Sequence, residues 1–201
     1  MDNLADQIAA RLKANAFVEV EASGRHVHLT EQDAQTLFGH GLTPLRPLSQ
    51  PGQFVCKERV TLIGEKASLT RVAVLGPVRK ESQVEISKTD AALLGISAPV
   101  RLSGDIAGSP GIRIRGEQGE IQLSTGVIIA KRHIHMTPAD AARFHLKNGD
   151  EVRCKLFSDR PTVFEGVCVR VSPDFATRVH LDFDEANAAG YHKGNQGMIF
   201  S

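Results

Sequence analysis

The tract Arg25-His26-Val27-His28-Leu29-Thr30 returns 107 positions later as Arg132-His133-Ile134-His135-Met136-Thr137. Strict alternation of polar and apolar residues is the period of a half-buried strand, so both tracts must occupy equivalent settings in the fold. Residues i and i+2 of a strand share a face about 6.6–6.8 Å apart. His26 and His28 therefore project side by side, as do His133 and His135, while Val27, Leu29, Ile134 and Met136 turn into packing. Four of the chain's eight histidines lie in these two tracts. Two His-x-His strands with matching flanks point to metal ligation, which one such tract would not.

The flanks repeat as well. Thr30-x-x-Asp33, Ser87-x-x-Asp90 and Thr137-x-x-Asp140 each place a capping hydroxyl before a first-turn acid, and Pro138 takes the first helical position in the third. The second and third continue as DAALLGISAPVRL and DAARFHLKNGDEVRC, with Asn148-Gly149-Asp150 as a turn signal. FVEVEA, IRIR at 112–115 and EVRCKL alternate with period two. The chain is thus expected to be mainly β, in two related barrel-like halves interrupted by short helices. Before them, Leu4, Ile8 and Leu12 with Ala5 and Ala9 form one stripe of a short amphipathic helix, opposite Asp2, Asp6, Gln7, Arg11 and Lys13. A helix that short is marginal alone, so the stripe should dock either on its own domain or on another protein.

A chain of 201 residues with 41% hydrophobic and 23% charged residues is expected to be globular, and a net charge of +1 argues against a nucleic-acid surface. No apolar run reaches the roughly 20 residues that a membrane helix requires. Cys56, Cys154 and Cys168 form no CxxC pair, and an odd count without a secretory signal points to a reducing compartment. Cys154 shares a strand face with Val152 and Leu156, the setting of a buried structural thiol.

Each histidine pair needs further ligands. Glu85 lies between Val84 and Ile86 and faces away from them, where its carboxylate can complete a site. His180 lies between Val179 and Leu181, with Phe183 in the apolar phase; Asp182 shares the His180 phase and is a candidate to fix its tautomer. His40 and His145 have no matched partner and read as surface or packing residues; His192 is undecided. Arg79 follows a Gly-Pro break six positions before Glu85. A guanidinium beside a cation is costly without an anion between them, and its planar fork suits phosphate.

RHVHLT, GPVRKESQVEIS, KRHIHMT and RVHLDFDEANAAG together resemble the PduL-type phosphate acyltransferases, the phosphate propanoyltransferases, over the chain from about Phe17 onward. The resemblance implies interconversion of an acyl-CoA (propanoyl-CoA or acetyl-CoA) and phosphate with an acyl phosphate and CoA. It implies two β-barrels capped by short α-helices, one from 16–22 with 131–201 and one from 23–130, with a dinuclear zinc site where they meet. Carried over, His26, His28 and Glu85 hold one metal with the CoA sulfur. His133, His135 and His180 hold the other with waters, and Arg79 binds phosphate. Other divalent transition metals also accept these ligands. The helix at 1–15 resembles a peptide that packages such enzymes into bacterial microcompartments, although no Pro/Gly-rich linker follows it. The expected setting is therefore the bacterial cytoplasm inside a microcompartment, with shell or core proteins as partners and a homodimer as the family's assembly. Two rival readings of the residues stay open: a dinuclear metallohydrolase and a non-catalytic zinc-binding barrel module.

Overall fold

The structure is a computed structural model that describes residues 17–200. The predicted helix at 1–15 lies outside the described residues. The chain divides into two units, one formed by the segment up to Ser23 together with Arg132 onward, the other by Gly24–Lys131. Strand β1 (Phe17–Ser23) belongs to the first. The Gly24–Lys131 unit runs β2 (His26–His28), α1 (Glu31–Phe38), β3 (Pro44–Pro47), β4 (Phe54–Ile63), β5 (Ser68–Gly76), β6 (Gln83–Ile86), α2 (Lys88–Leu94), β7 (Val100–Arg101), β8 (Ile112–Arg115), β9 (Glu120–Leu123) and β10 (Val127–Ala130). The chain then returns as β11 (His133–Met136), α3 (Pro138–Arg143), β12 (Glu151–Leu156), β13 (Thr162–Val171), β14 (Arg178–Asp182), α4 (Phe183–Ala188) and β15 (Gln196–Phe200).

The molecule is mainly β with short helices, as the alternation implies. In the first unit the strands close into a barrel in the order β1-β14-β11-β13-β12-β15, with β15 returning to β1. In the second, nine strands form a curled half-barrel sheet in the order β7-β10-β6-β2-β5-β4-β8-β9, with β3 on β4. Each histidine strand is central. β2 lies between antiparallel β6 and parallel β5, and β11 between antiparallel β14 and parallel β13. A central strand is pinned by two ladders, which fixes the direction of its side chains.

Burial explains why the alternation holds. Val27, Leu29, Val84 and Ile86 pack into the core of the Gly24–Lys131 unit. Val18, Val20, Ile134, Met136, Val179 and Leu181 do so in the barrel. Each such side chain contributes about 1.5–3 kcal/mol of transfer free energy. A one-residue slip would put the imidazoles inside and the aliphatics out.

The two units repeat the same construction. Thr30 caps α1 through Asp33 N, and Thr137 caps α3 through Asp140 N. In the first, the Ser82 hydroxyl accepts from Thr30 N at 2.9 Å and donates to Asp33; in the second, Thr177 accepts from Thr137 N at 3.2 Å and donates to Asp140. Ser82 lies three residues before Glu85, and Thr177 three before His180. The helices that follow match too. Ser87 and Asp182 form capping boxes with Asp90 and Glu185, and those acids pair with Arg25 and Arg132. The structural counterpart of the Ser87 helix is therefore α4. The likeness between DAALLG and DAARFH is confined to the helix ends. There Gly95 and His145 both adopt positive φ, +76° and +55°, and the following N–H groups of Ile96 and Leu146 bond back to Ala91 and Ala141.

Candidate functional site

Strand register brings the candidate ligands of the Gly24–Lys131 unit together. β2 and β6 pair with His26 opposite Glu85 and His28 opposite Gln83, so all four side chains share one face. His26 Nε2 and His28 Nε2 lie 3.6 and 3.7 Å from Glu85 Oε1, and one ligand atom from each residue falls within 4.8 Å of the others. Two ligand atoms at about 2.0–2.2 Å from one tetrahedral ion stand roughly 3.3–3.6 Å apart. The observed separations are too long for hydrogen bonds and close to that value. His26 Nδ1 lies 2.8 Å from the Gly24 carbonyl, which can only accept, so Nδ1 carries a proton and Nε2 is the nitrogen turned to Glu85 and available for ligation once deprotonated. Two imidazoles, one oriented for ligation, and a carboxylate fit a divalent transition metal.

The electrostatics agree. All three groups are buried, at 6%, 3% and 5% exposure for His26, His28 and Glu85. Burial alone would depress the His26 pKa, but the Glu85 charge, with the Gly24 carbonyl on Nδ1, reverses the sign and raises it. Burial, with the charges of His26 and Arg79, holds His28 well below the ordinary imidazole range. Burial would raise the Glu85 pKa; His26 and His28 outweigh it and hold the carboxyl well below the usual range. The pocket therefore favours positive charge at the carboxylate. Arg79 is anchored beside it: its N–H donates to Leu29 O at 2.8 Å and its Nη1 to Ser103 Oγ at 2.9 Å.

The barrel carries the second cluster. His133 stands opposite His180 on β14, and one ring nitrogen each from His133, His135 and His180 lies within 4.8 Å of the others. Ring centroids are 4.6 Å apart for His133–His135, 5.1 Å for His133–His180 and 5.0 Å for His135–His180. The carboxylate beside His180 is not that of Asp182. Asp182 caps α4 by accepting from Glu185 N, because the strand ends there and the chain turns into a helix. For the same reason Phe183 leaves the strand phase and is half exposed. Glu21, level with His180 on β1, comes to 3.6 Å from its Nε2 instead. Sequence reasoning missed Glu21 because its proximity comes from a long-range parallel pairing.

Gln83 and Ser103 were also missed. Gln83 shares the face of Glu85 two positions away, which is the signal that could have found it. Its Nε2 donates to Glu85 Oε1 at 2.6 Å and to Ser103 Oγ at 3.0 Å, and its Oε1 accepts from Gly104 N at 2.7 Å. His40 and His192 lie at the surface, each within 4 Å of a carboxylate, Glu58 and Asp159. His145 occupies the helix terminus described above. All three cysteines are buried and free.

Fold and side chains define a two-unit β protein with, in each unit, a three-residue cluster that could hold a metal ion, and an anchored arginine beside one of them. The family model for phosphate propanoyltransferase matches residues 19–192. The chain is 54% identical over 199 residues to the phosphate propanoyltransferase of Listeria monocytogenes, covering 98% of this chain and 93% of the relative. It is 50% identical over 201 residues to that of Clostridioides difficile (99% and 96%) and 51% over 187 residues to that of Thermotoga maritima (92% and 89%). The chain belongs to the phosphate propanoyltransferase family and is an acyltransferase.

Proposed function

We propose that this acyltransferase interconverts propanoyl-CoA, or acetyl-CoA, and inorganic phosphate with the acyl phosphate and CoA. In the Gly24–Lys131 unit His26, His28 and Glu85 hold one zinc ion or other divalent transition metal, in the other unit His133, His135 and His180 hold a second, and Arg79 binds the phosphate. The observation that carries this reading is the buried His26–His28–Glu85 cluster with Arg79 anchored beside it. Metals held by these side chains supply Lewis-acid stabilisation to the carbonyl oxygen and to the departing thiolate.

The chain's own groups do the rest. Arg79, fixed at its backbone and at one guanidinium nitrogen, is held so that its planar guanidinium can meet a phosphate as a preorganised fork. A phosphate oxygen then attacks the thioester carbonyl; the C–O bond forms, the C–S bond breaks and CoA leaves as thiolate. No enzyme nucleophile is needed. Burial raises the thiols of Cys56 and Cys154 to about 11 and about 12, which removes them as thiolates near neutral pH.

Acyl-CoA assayed with and without phosphate, alongside metal analysis of the same sample, tests the reading. Phosphate-dependent CoA release and acyl-phosphate formation are expected. Phosphate-independent release would make the protein a metallohydrolase, and metal-bound protein with no turnover would make it a structural zinc module. Arg79→Lys keeps the charge but not the fork, and is expected to raise the phosphate KM by tenfold or more; an unchanged phosphate dependence would remove Arg79 from the site. We further propose a homodimer packaged in a microcompartment of the bacterial cytoplasm through residues 1–15. Deletion through Lys13 is expected to spare catalysis and abolish co-purification with shell proteins.

A further inference from the structure

We infer that Gln83 and Ser103 are positioning residues that join Glu85 and Arg79 in one hydrogen-bonded chain, so that the ligand carboxylate and the anion-binding guanidinium are set together. The inference rests on the functional reading above. The chain runs from Arg79 Nη1 to Ser103 Oγ (2.9 Å), from Gln83 Nε2 to the same oxygen (3.0 Å), and from Gln83 Nε2 to Glu85 Oε1 (2.6 Å). Gly104 N donates to Gln83 Oε1 at 2.7 Å, which settles the amide's orientation: its oxygen faces the backbone, and its nitrogen must face the carboxylate and the hydroxyl. Ser103 Oγ has two lone pairs, and Arg79 and Gln83 use both. Gln83 is 2% exposed, so bulk solvent does not compete for these bonds. The carboxylate oxygen that Gln83 holds is the one facing His26 and His28.

The two ends of the chain carry unequal weight. Loss of Gln83 frees Glu85 to rotate away from the imidazoles and also removes one support of the Ser103 hydroxyl. Loss of the Ser103 hydroxyl removes one anchor of the guanidinium and the hydrogen bond that Ser103 itself gives Glu85, and leaves the Gln83–Glu85 bond in place. Supporting groups of this kind typically govern metal affinity by 10–100-fold.

The test uses full-length wild type, Gln83→Ala, Ser103→Ala and the double variant. Two quantities are read: zinc affinity by chelator competition without substrates, and the phosphate KM against kcat. Gln83→Ala is expected to weaken zinc about 10–100-fold at one site and to raise the phosphate KM. Ser103→Ala is expected to raise the phosphate KM severalfold and to weaken zinc by less than Gln83→Ala does. The KM effects of the double variant should fall short of the product of the singles, as groups in one network do. Unchanged zinc affinity in Gln83→Ala, or multiplicative KM effects, would overturn the inference. If Gln83→Ala does not fold, Ser103→Ala decides alone, and an unchanged phosphate KM overturns it. A wild type that releases CoA without phosphate would instead overturn the functional reading, whereas a phosphate-dependent wild type with indifferent variants overturns only the link.

Discussion

Glu85 faces two imidazoles across gaps that a hydrogen bond cannot close, and the acid–base behaviour of the three groups follows from that. A metal at His26 competes with a proton whose affinity is raised above the ordinary value of 6.5 by the carboxylate. Metal affinity should therefore begin to fall above pH 6.5 on acidification and drop about tenfold per pH unit below the His26 pKa. Cobalt titrations across that range check this, and a flat affinity down to about pH 5 would contradict it. Replacement of His133 or His180 by Ala should cost about one metal equivalent per chain by elemental analysis. The buried thiols Cys56 and Cys154 should resist iodoacetamide near pH 8 in the folded protein and react on unfolding. The clustering of the six proposed ligands, three in each unit, was legible because each sits in strict phase with buried aliphatics. Glu21, Gln83 and Ser103 were not, because what they touch depends on pairings and loops that no local pattern encodes.

The helices show how much of an element local chemistry determines. Thr30, Ser87 and Thr137 do cap helices, since a hydroxyl followed three residues later by an acid satisfies two otherwise open N–H groups or places charge at the helix start. The fourth helix escaped notice because its cap is Asp182, whose strand phase also suited a histidine partner. Thr137→Ala should cost about 1 kcal/mol in denaturant unfolding. His145 holds a left-handed conformation that its counterpart Gly95 adopts without a Cβ penalty. His145→Gly should therefore stabilise the fold by a few tenths to about 1 kcal/mol, the relief of that penalty less the added chain entropy. An unchanged or lower midpoint would show that the imidazole has compensating contacts. The barrel-like halves were expected from the repeat and the family resemblance, but the order of strands within them could not be read, because alternation fixes which face is buried and leaves strand pairing open.

At the scale of the molecule, each unit holds its own core and its own ladders. A fragment spanning Gly24–Lys131 should fold alone and melt cooperatively. Arg132–Ser201 should not, because the barrel then lacks β1 between β14 and β15; a synthetic Phe17–Ser23 peptide added in trans should restore its near-UV signal. The placement of β1 also sets a timetable. It leaves the ribosome first among the described strands, while both of its partners are made near the end, so at 5–20 residues per second its edges wait roughly 10–35 s for a ladder. The intervening unit can finish folding in that time. The nascent barrel strand, with two open edges and alternating valines, is the segment on which a translating cell must spend chaperone protection.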